Sequence, residues 1–123
     1  MMTMKKENLI ADKSFDFALT IIDLYIQLKN ENEFVLSKQL LRSGTSIGAN
    51  IEEATAAFSK RDFTHKMSIS SKEARETRYW LRLLQKSNLT KINVESQLIE
   101  IQNIINILTK KVKTSQIYRS NNS

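Results

Sequence analysis

Between residues 59 and 88 the chain carries eight Lys or Arg against three acids, and most of those cations fall on one side of a helix. At 100° per residue, Arg61, Thr64, Ser68, Lys72, Arg75, Arg78, Arg82 and Lys86 lie within about 120°. Phe63, Met67, Ser70, Ala74, Thr77, Leu81 and Leu84 take another side and read as core. Cations spaced along one helix face are suited to following a phosphate backbone, and Tyr79, inside the stripe, is placed to stack a base between guanidiniums. The competing explanation is a solvated face closed by ion pairs one turn apart, such as Lys72 to Glu76.

A second polar group faces the core edge. Glu73 sits on the wheel beside Trp80, Thr77 and Leu84, where a carboxylate needs a partner. Arg42, Ser46, Asn50 and Glu53 form a line spaced four, four and three along the preceding helix, and Arg42 is the natural partner, with Glu53 or Glu76 completing a network. Such a network fixes register between helices or subunits more readily than it catalyses. The only glycines, Gly44 and Gly48, stand four apart on the same helix and share a face with Leu40, Leu41, Ile47 and Ile51, so another backbone can approach there.

Other chemistry is poorly supplied. With one histidine, His65, and no cysteine, neither a thiolate nor a multi-histidine metal site is possible, and Glu52/Glu53 and Glu73/Glu76 lack the Glu-x-x-His spacing of di-iron bundles. Two glycines cannot make a phosphate-loop or dinucleotide fingerprint. No metal, cofactor or enzymatic activity is expected.

These groups must be positioned by helices. The chain has 123 residues and no proline, and nothing interrupts a long helix. A first helix is expected over 14–29, capped by Asp12 or Ser14, with Phe17, Ile21, Leu24 and Leu28 on one apolar line and Phe15, Ala18, Ile22 and Tyr25 on another. So wide a stripe fits either a helix that meets a neighbouring subunit with part of its surface or one deeply buried within a single bundle. The second helix is expected over 37–58 with Ser37 as cap, and the third over 60–87, opened by the Ser59-Lys-Arg-Asp62 box. The fourth, over 93–113 with Asn93 as cap, has a heptad seam of Val94, Leu98, Ile101, Ile105, Leu108 and Val112, widened by Ile104 and Ile107. Residues 1–13 read as an N-terminal extension and 114–123 as a mobile tail. The expected fold is all-α, an antiparallel up-down-up-down four-helix bundle.

Net charge is +6, but residues 14–33 are acidic, with one Lys and four acids. The acidic first helix and basic third helix could therefore complement each other between subunits. No apolar run has the length of a signal peptide or of a membrane span, which points to the cytoplasm without membrane association.

The blocks LLRSGTSIGANIEEA and DFTHKMSISSKEARETRYWLRLL resemble the bacterial four-helix-bundle proteins encoded in 23S rRNA intervening sequences. The resemblance runs from about Phe15 to Val112 and rests on Arg42, Ser43, Ser46, Ile47, Asn50, Ile51 and Glu53, then on Phe63, Lys72, Glu73, Ala74, Glu76, Tyr79, Trp80 and Leu81. It implies a bundle assembling as a homopentameric ring, with a relative among the nucleic-acid-binding accessory proteins of diversity-generating retroelements, and no enzyme activity. The expected partners are other copies of the chain and RNA or DNA, bound with low sequence specificity. A scaffold for an acidic protein partner is the alternative.

Overall fold

The computed structural model describes the backbone of residues 6–122 and the side-chain surroundings of residues 9–117. Four helices account for nearly all of it: α1 (Lys6–Asn30), α2 (Leu36–Thr55), α3 (Lys60–Lys86) and α4 (Glu95–Asn122). Each packs on its neighbours in sequence, and α1 also meets α4, closing a four-sided bundle. Interhelix pairs fix the directions: Ser14 faces Gly48 and Ile21 faces Gly44, Ser43 bonds Thr77 and Ile47 bonds Ser70, and Arg78 bonds Gln102 while Thr64 bonds Ser115. In each set the residue numbers run oppositely, so consecutive helices are antiparallel.

The core follows the apolar lines of the sequence. Phe17, Ile21, Leu24 and Leu28 of α1 pack with Leu40, Ile47 and Ile51 of α2, Met67, Leu81 and Leu84 of α3, and Ile101, Ile105 and Leu108 of α4, all nearly inaccessible. Leu98 and Val112 of the α4 seam are partly buried against this cluster, and Ile104 is fully buried. Truncating any of the large members to alanine would cost about 2–5 kcal/mol. Between α2 and α3 the seam is built from small residues. Ser70 Oγ donates to the Ile47 carbonyl at 2.9 Å and Thr77 Oγ1 donates to Ser43 Oγ at 2.9 Å. Those hydroxyls are buried but satisfied, which lets the two backbones come close without orphaned polar groups.

Several boundaries differ from expectation, each for a local reason. Of the expected extension 1–13, residues 1–5 lie outside the described residues, but α1 already begins at Lys6. Continuing the helix buries Ile10, one heptad before Phe17. Ser14 therefore caps nothing: it is buried within the helix, donating to the Ala11 carbonyl at 3.0 Å. The α1 terminus closes through Asn32, in the left-handed conformation at φ 64°, with Glu33 N–H bonding to the Leu28 carbonyl and Asn32 N–H to that of Lys29.

The cap of α2 is not Ser37 but Glu33, whose carboxylate accepts from the N–H groups of Val35, Leu36 and Ser37. A carboxylate with two oxygens satisfies three first-turn amides, more than one hydroxyl can. α2 ends at Thr55, short of Phe58, which is fully exposed. Ser59 does cap α3, accepting from Asp62 N–H at 3.0 Å, and Asn93 accepts from Glu95 N–H at 2.9 Å.

The expected loose tail is instead a continuation of α4, which runs to Asn122. Ser115 is buried and shares a hydrogen bond with Thr64. Thr64 is accordingly not part of the basic stripe. Its hydroxyl proton goes to the Lys60 carbonyl at 2.8 Å, so Ser115 is the donor in the pair.

Candidate nucleic-acid interface

α3 is the helix that has to serve both neighbours. Its core line packs inward, one flank meets α2, and the other meets α4, leaving the basic stripe on the outer surface and along the α3–α4 groove. Arg61, Lys72, Arg75, Tyr79, Arg82 and Lys86 are exposed, and Arg78 is half-buried in the groove. Arg75 Nη2 donates to Thr109 Oγ1 at 3.0 Å, and Arg78 Nη1 donates to Gln102 Oε1 at 2.8 Å. Both acceptors are uncharged. They orient the guanidiniums and leave the positive charge unneutralised.

Two of the three acids of α3, Glu73 and Glu76, are occupied elsewhere. Arg42 donates from Nη1 to Glu73 Oε2 at 3.0 Å and from Nη2 to Glu76 Oε2, and Trp80 Nε1 donates to the same Glu76 oxygen at 2.9 Å. Glu76 therefore faces α2 and does not neutralise Lys72. Among the described residues the remaining ion pair joins Lys66 to Glu53 at 3.0 Å. No cation of the stripe has a carboxylate partner there.

The polar line of α2 thus divides. Arg42, Glu73 and Glu76 form the expected interhelix network, with Trp80 added to it. Glu53 does not join; it pairs with Lys66, a residue the sequence did not single out. Ser46 and Asn50 bond their own helix, donating to the carbonyls of Arg42 at 2.6 Å and Ser46 at 2.9 Å. A serine or asparagine inside a helix can satisfy itself on the preceding turn, and the wheel cannot distinguish that from an outward contact.

Electrostatics agrees with this geometry. Burial alone would raise the Glu76 carboxyl, but the Trp80 N–H and the Arg42 guanidinium outweigh it and hold Glu76 below the ordinary carboxylate range. The hydrogen bond to Glu76 raises Arg42 above its usual value against the opposing effect of burial. The hydrogen bond to Glu53 does the same for Lys66.

Tyr79 is 53% exposed, and its ring meets the Trp80 ring edge-on with centroids 5.3 Å apart. Trp80 is itself tethered to Glu76, so the α2–α3 network supports the aromatic at the centre of the basic surface. Gln102 passes its other end on: its Nε2 donates to Asn106 Oδ1 at 3.0 Å. The α4 contribution of Gln102, Asn106 and Thr109 was missed in the sequence. The signal was present as a four-then-three spacing of polar residues beside the heptad seam.

A family model described as 23S rRNA-intervening sequence protein matches residues 6–114. The chain belongs to that family. The match takes in the first turns of α1, beyond the Phe15 start of the resemblance read from sequence. The crystal structure of a protein of unknown function from Bacteroides thetaiotaomicron, described as a member of the S23 ribosomal protein family, is 48% identical to this 23S rRNA-intervening sequence protein. It superimposes with a TM-score of 0.82, covering 89% of this chain and 99% of its own. No curated protein matches. Among the described residues, no cluster of His, Cys, Asp and Glu that could hold a metal is present, and no helix is long and apolar enough to cross a membrane.

Proposed function

We propose that this family member is a non-enzymatic bacterial protein of the cytoplasm that binds RNA or DNA through the outer face of α3, with low sequence specificity. The observation that carries the reading is the unpaired state of the stripe: among the described residues, Arg61, Lys72, Arg82 and Lys86 have no carboxylate partner, and Glu73 and Glu76, the acids nearest its centre, are committed to Arg42. Arg75 and Arg78 are braced by neutral groups. These cations neutralise phosphates, and Tyr79 stacks a base. The work is electrostatic and releases counterions.

The protein acts as a homo-oligomer, and the family resemblance supplies the ring of five. Support comes from α1, where Phe15, Leu19, Ile22 and Ile26 recur at steps of four, three and four and are all exposed. An apolar heptad line facing away from the core is suited to packing against another copy. Ala18 and Tyr25, placed on the same outer line by sequence, are half-buried between this stripe and the core. Repeating weakly binding faces around an assembly multiplies their effect.

Fluorescence anisotropy of labelled single-stranded RNA, single-stranded DNA and duplex across a salt series tests the reading, with the Arg75/Arg78/Arg82 triple alanine and Lys72/Arg82/Lys86 triple alanine variants alongside. Binding should weaken steeply with salt, and each triple variant should flatten the log–log slope by about 2 for single strands. No binding at low salt would remove the nucleic-acid reading and direct the search to an acidic protein partner.

A further inference from the structure

Beyond its outer cations, the α3–α4 groove ends in a hollow of about 620 Å³ between the first turns of α3 and the last described turns of α4. This volume falls within the roughly 300–1,000 Å³ of small-ligand sites. Arg61, Asp62, His65 and Ser68 line it from α3, and Gln116 lines it from α4. The composition differs from that of the stripe in one informative respect: it includes a carboxylate. Asp62 uses its backbone N–H on the Ser59 cap, while its carboxylate, drawn electrostatically to Lys66, takes no hydrogen bond among the described residues and keeps its acceptor positions open.

A carboxylate with open acceptor positions repels a phosphate but accepts from the exocyclic amine of a base. Ser68, Gln116 and His65 add a hydroxyl, an amide and an aromatic ring, the groups that recognise base edges and faces. Arg61, exposed among the lining residues, adds a cation to the hollow itself. Beside Arg78 the groove offers mainly donors. Gln102 spends its carbonyl on Arg78 and its amide on Asn106 Oδ1, so Asn106 is left with its NH2 group free. Phosphates suit the length of the groove, and a base suits its end.

We propose that the α3–α4 groove selects single-stranded nucleic acid, holding phosphates along the Lys72–Lys86 stretch of α3 and seating one unstacked, amine-bearing base in the hollow lined by Asp62, His65, Ser68 and Gln116. A duplex can touch the same cations, but placing a base in the hollow would require unpairing and unstacking it. The strand would follow α3 from Arg61 to Lys86, roughly 37 Å at 1.5 Å per residue. The inference rests on the nucleic-acid reading above and adds the strandedness and the base site.

The test uses the full chain in a Tyr79→Ala background, so that stacking on that ring does not contribute. The probes are labelled strands of about 12 nucleotides, within the usual site sizes: poly-rC, poly-rA, poly-rU, an abasic strand with the same phosphate count, and a duplex. Amine-bearing rC and rA should bind at least about fivefold tighter than the abasic strand, rU and the duplex at equal salt. The Asp62→Ala/His65→Ala/Gln116→Ala variant, and separately Ser68→Tyr, which fills the hollow, should abolish that gap while leaving the salt slope unchanged. Equal binding of intact and abasic strands, or a gap that survives both variants, overturns the base site and leaves the phosphate track standing. Absence of binding to every probe overturns the functional reading and the base site together.

Discussion

A Cβ placed on Gly44 would stand 2.9 Å from Ile21 Cγ2, closer than packed carbon atoms approach, and Ile21 is fully buried with its own Cβ only 3.3 Å away. Gly44 is thus the point where α2 is pressed against the β-branched stem of an α1 residue that cannot swing aside. Four residues on, Gly48 is more forgiving, since its added Cβ would meet the Ser14 hydroxyl at 3.3 Å and the Ser14 backbone at 3.6 Å.

The two glycines should therefore behave differently. Gly44→Ala gains about 1 kcal/mol of helix propensity but loses about 1–3 kcal/mol to overpacking, and should lower stability. Gly48→Ala should fall within about 1 kcal/mol of the parent, because the propensity gain offsets a slight shift of Ser14. Gly48→Leu has no room and should disrupt the α1–α2 packing. Urea melts of the three variants check this; equal losses for both alanine variants would contradict the assignment.

Acid should weaken the protein partly through Glu76. Its folded carboxyl lies below the ordinary value of 4.5, so its contribution is complete above pH 4.5 and is lost as pH falls through the lower folded value. Glu76 is about a third exposed, and the contribution is about 1 kcal/mol or less. The raised Arg42 adds nothing in that window, since it remains charged at every acid pH. Glu76→Gln should flatten the stability profile below pH 4.5. An unchanged profile in that variant would place the acid sensitivity elsewhere.

Arg42→Ala removes the common partner of Glu73 and Glu76 and should loosen the α2–α3 seam by about 1 kcal/mol. The Trp80 fluorescence should change with it, because Trp80 shares the Glu76 carboxylate. If the network also supports assembly, light scattering would show a lower oligomeric mass for this variant before any change in nucleic-acid affinity. Intact mass with lost affinity would instead make Arg42 a ligand contact.

The pair Thr64 and Ser115 tests whether the end of α4 is truly docked. Ser115→Ala and Thr64→Val should each cost about 1 kcal/mol, and the double variant should cost less than their sum, because the second change removes a group already left unpaired. Strict additivity in thermal melts would mean that the residues do not interact in solution.

Replacing Phe15 and Ile26 together with serine should leave the fold intact, since both side chains are exposed, while reducing self-association. Size-exclusion chromatography with light scattering reads the outcome. An unchanged mass would move the proposed contact off this face of α1.

Sequence by itself determined the helical class, the order of the four helices and their inward faces. Periodicity reports burial directly: the α4 seam and the α3 line of Met67, Ala74, Leu81 and Leu84 are where the wheel put them. It also determined that Arg42 and Glu73 would meet, because a carboxylate beside the core has few affordable alternatives. Only the tertiary structure decided where helices begin and how polar groups pair. Ser14 and Ser37 have the chemistry of caps, yet burial of Ile10 extended α1 past one and the Glu33 carboxylate displaced the other. Glu76 lies one turn from Lys72 on the same helix, but α2 brings Arg42 against it. That choice leaves the stripe cationic, and it depends on which flank of α3 each neighbouring helix covers, a relation between distant segments that spacing along one helix does not contain.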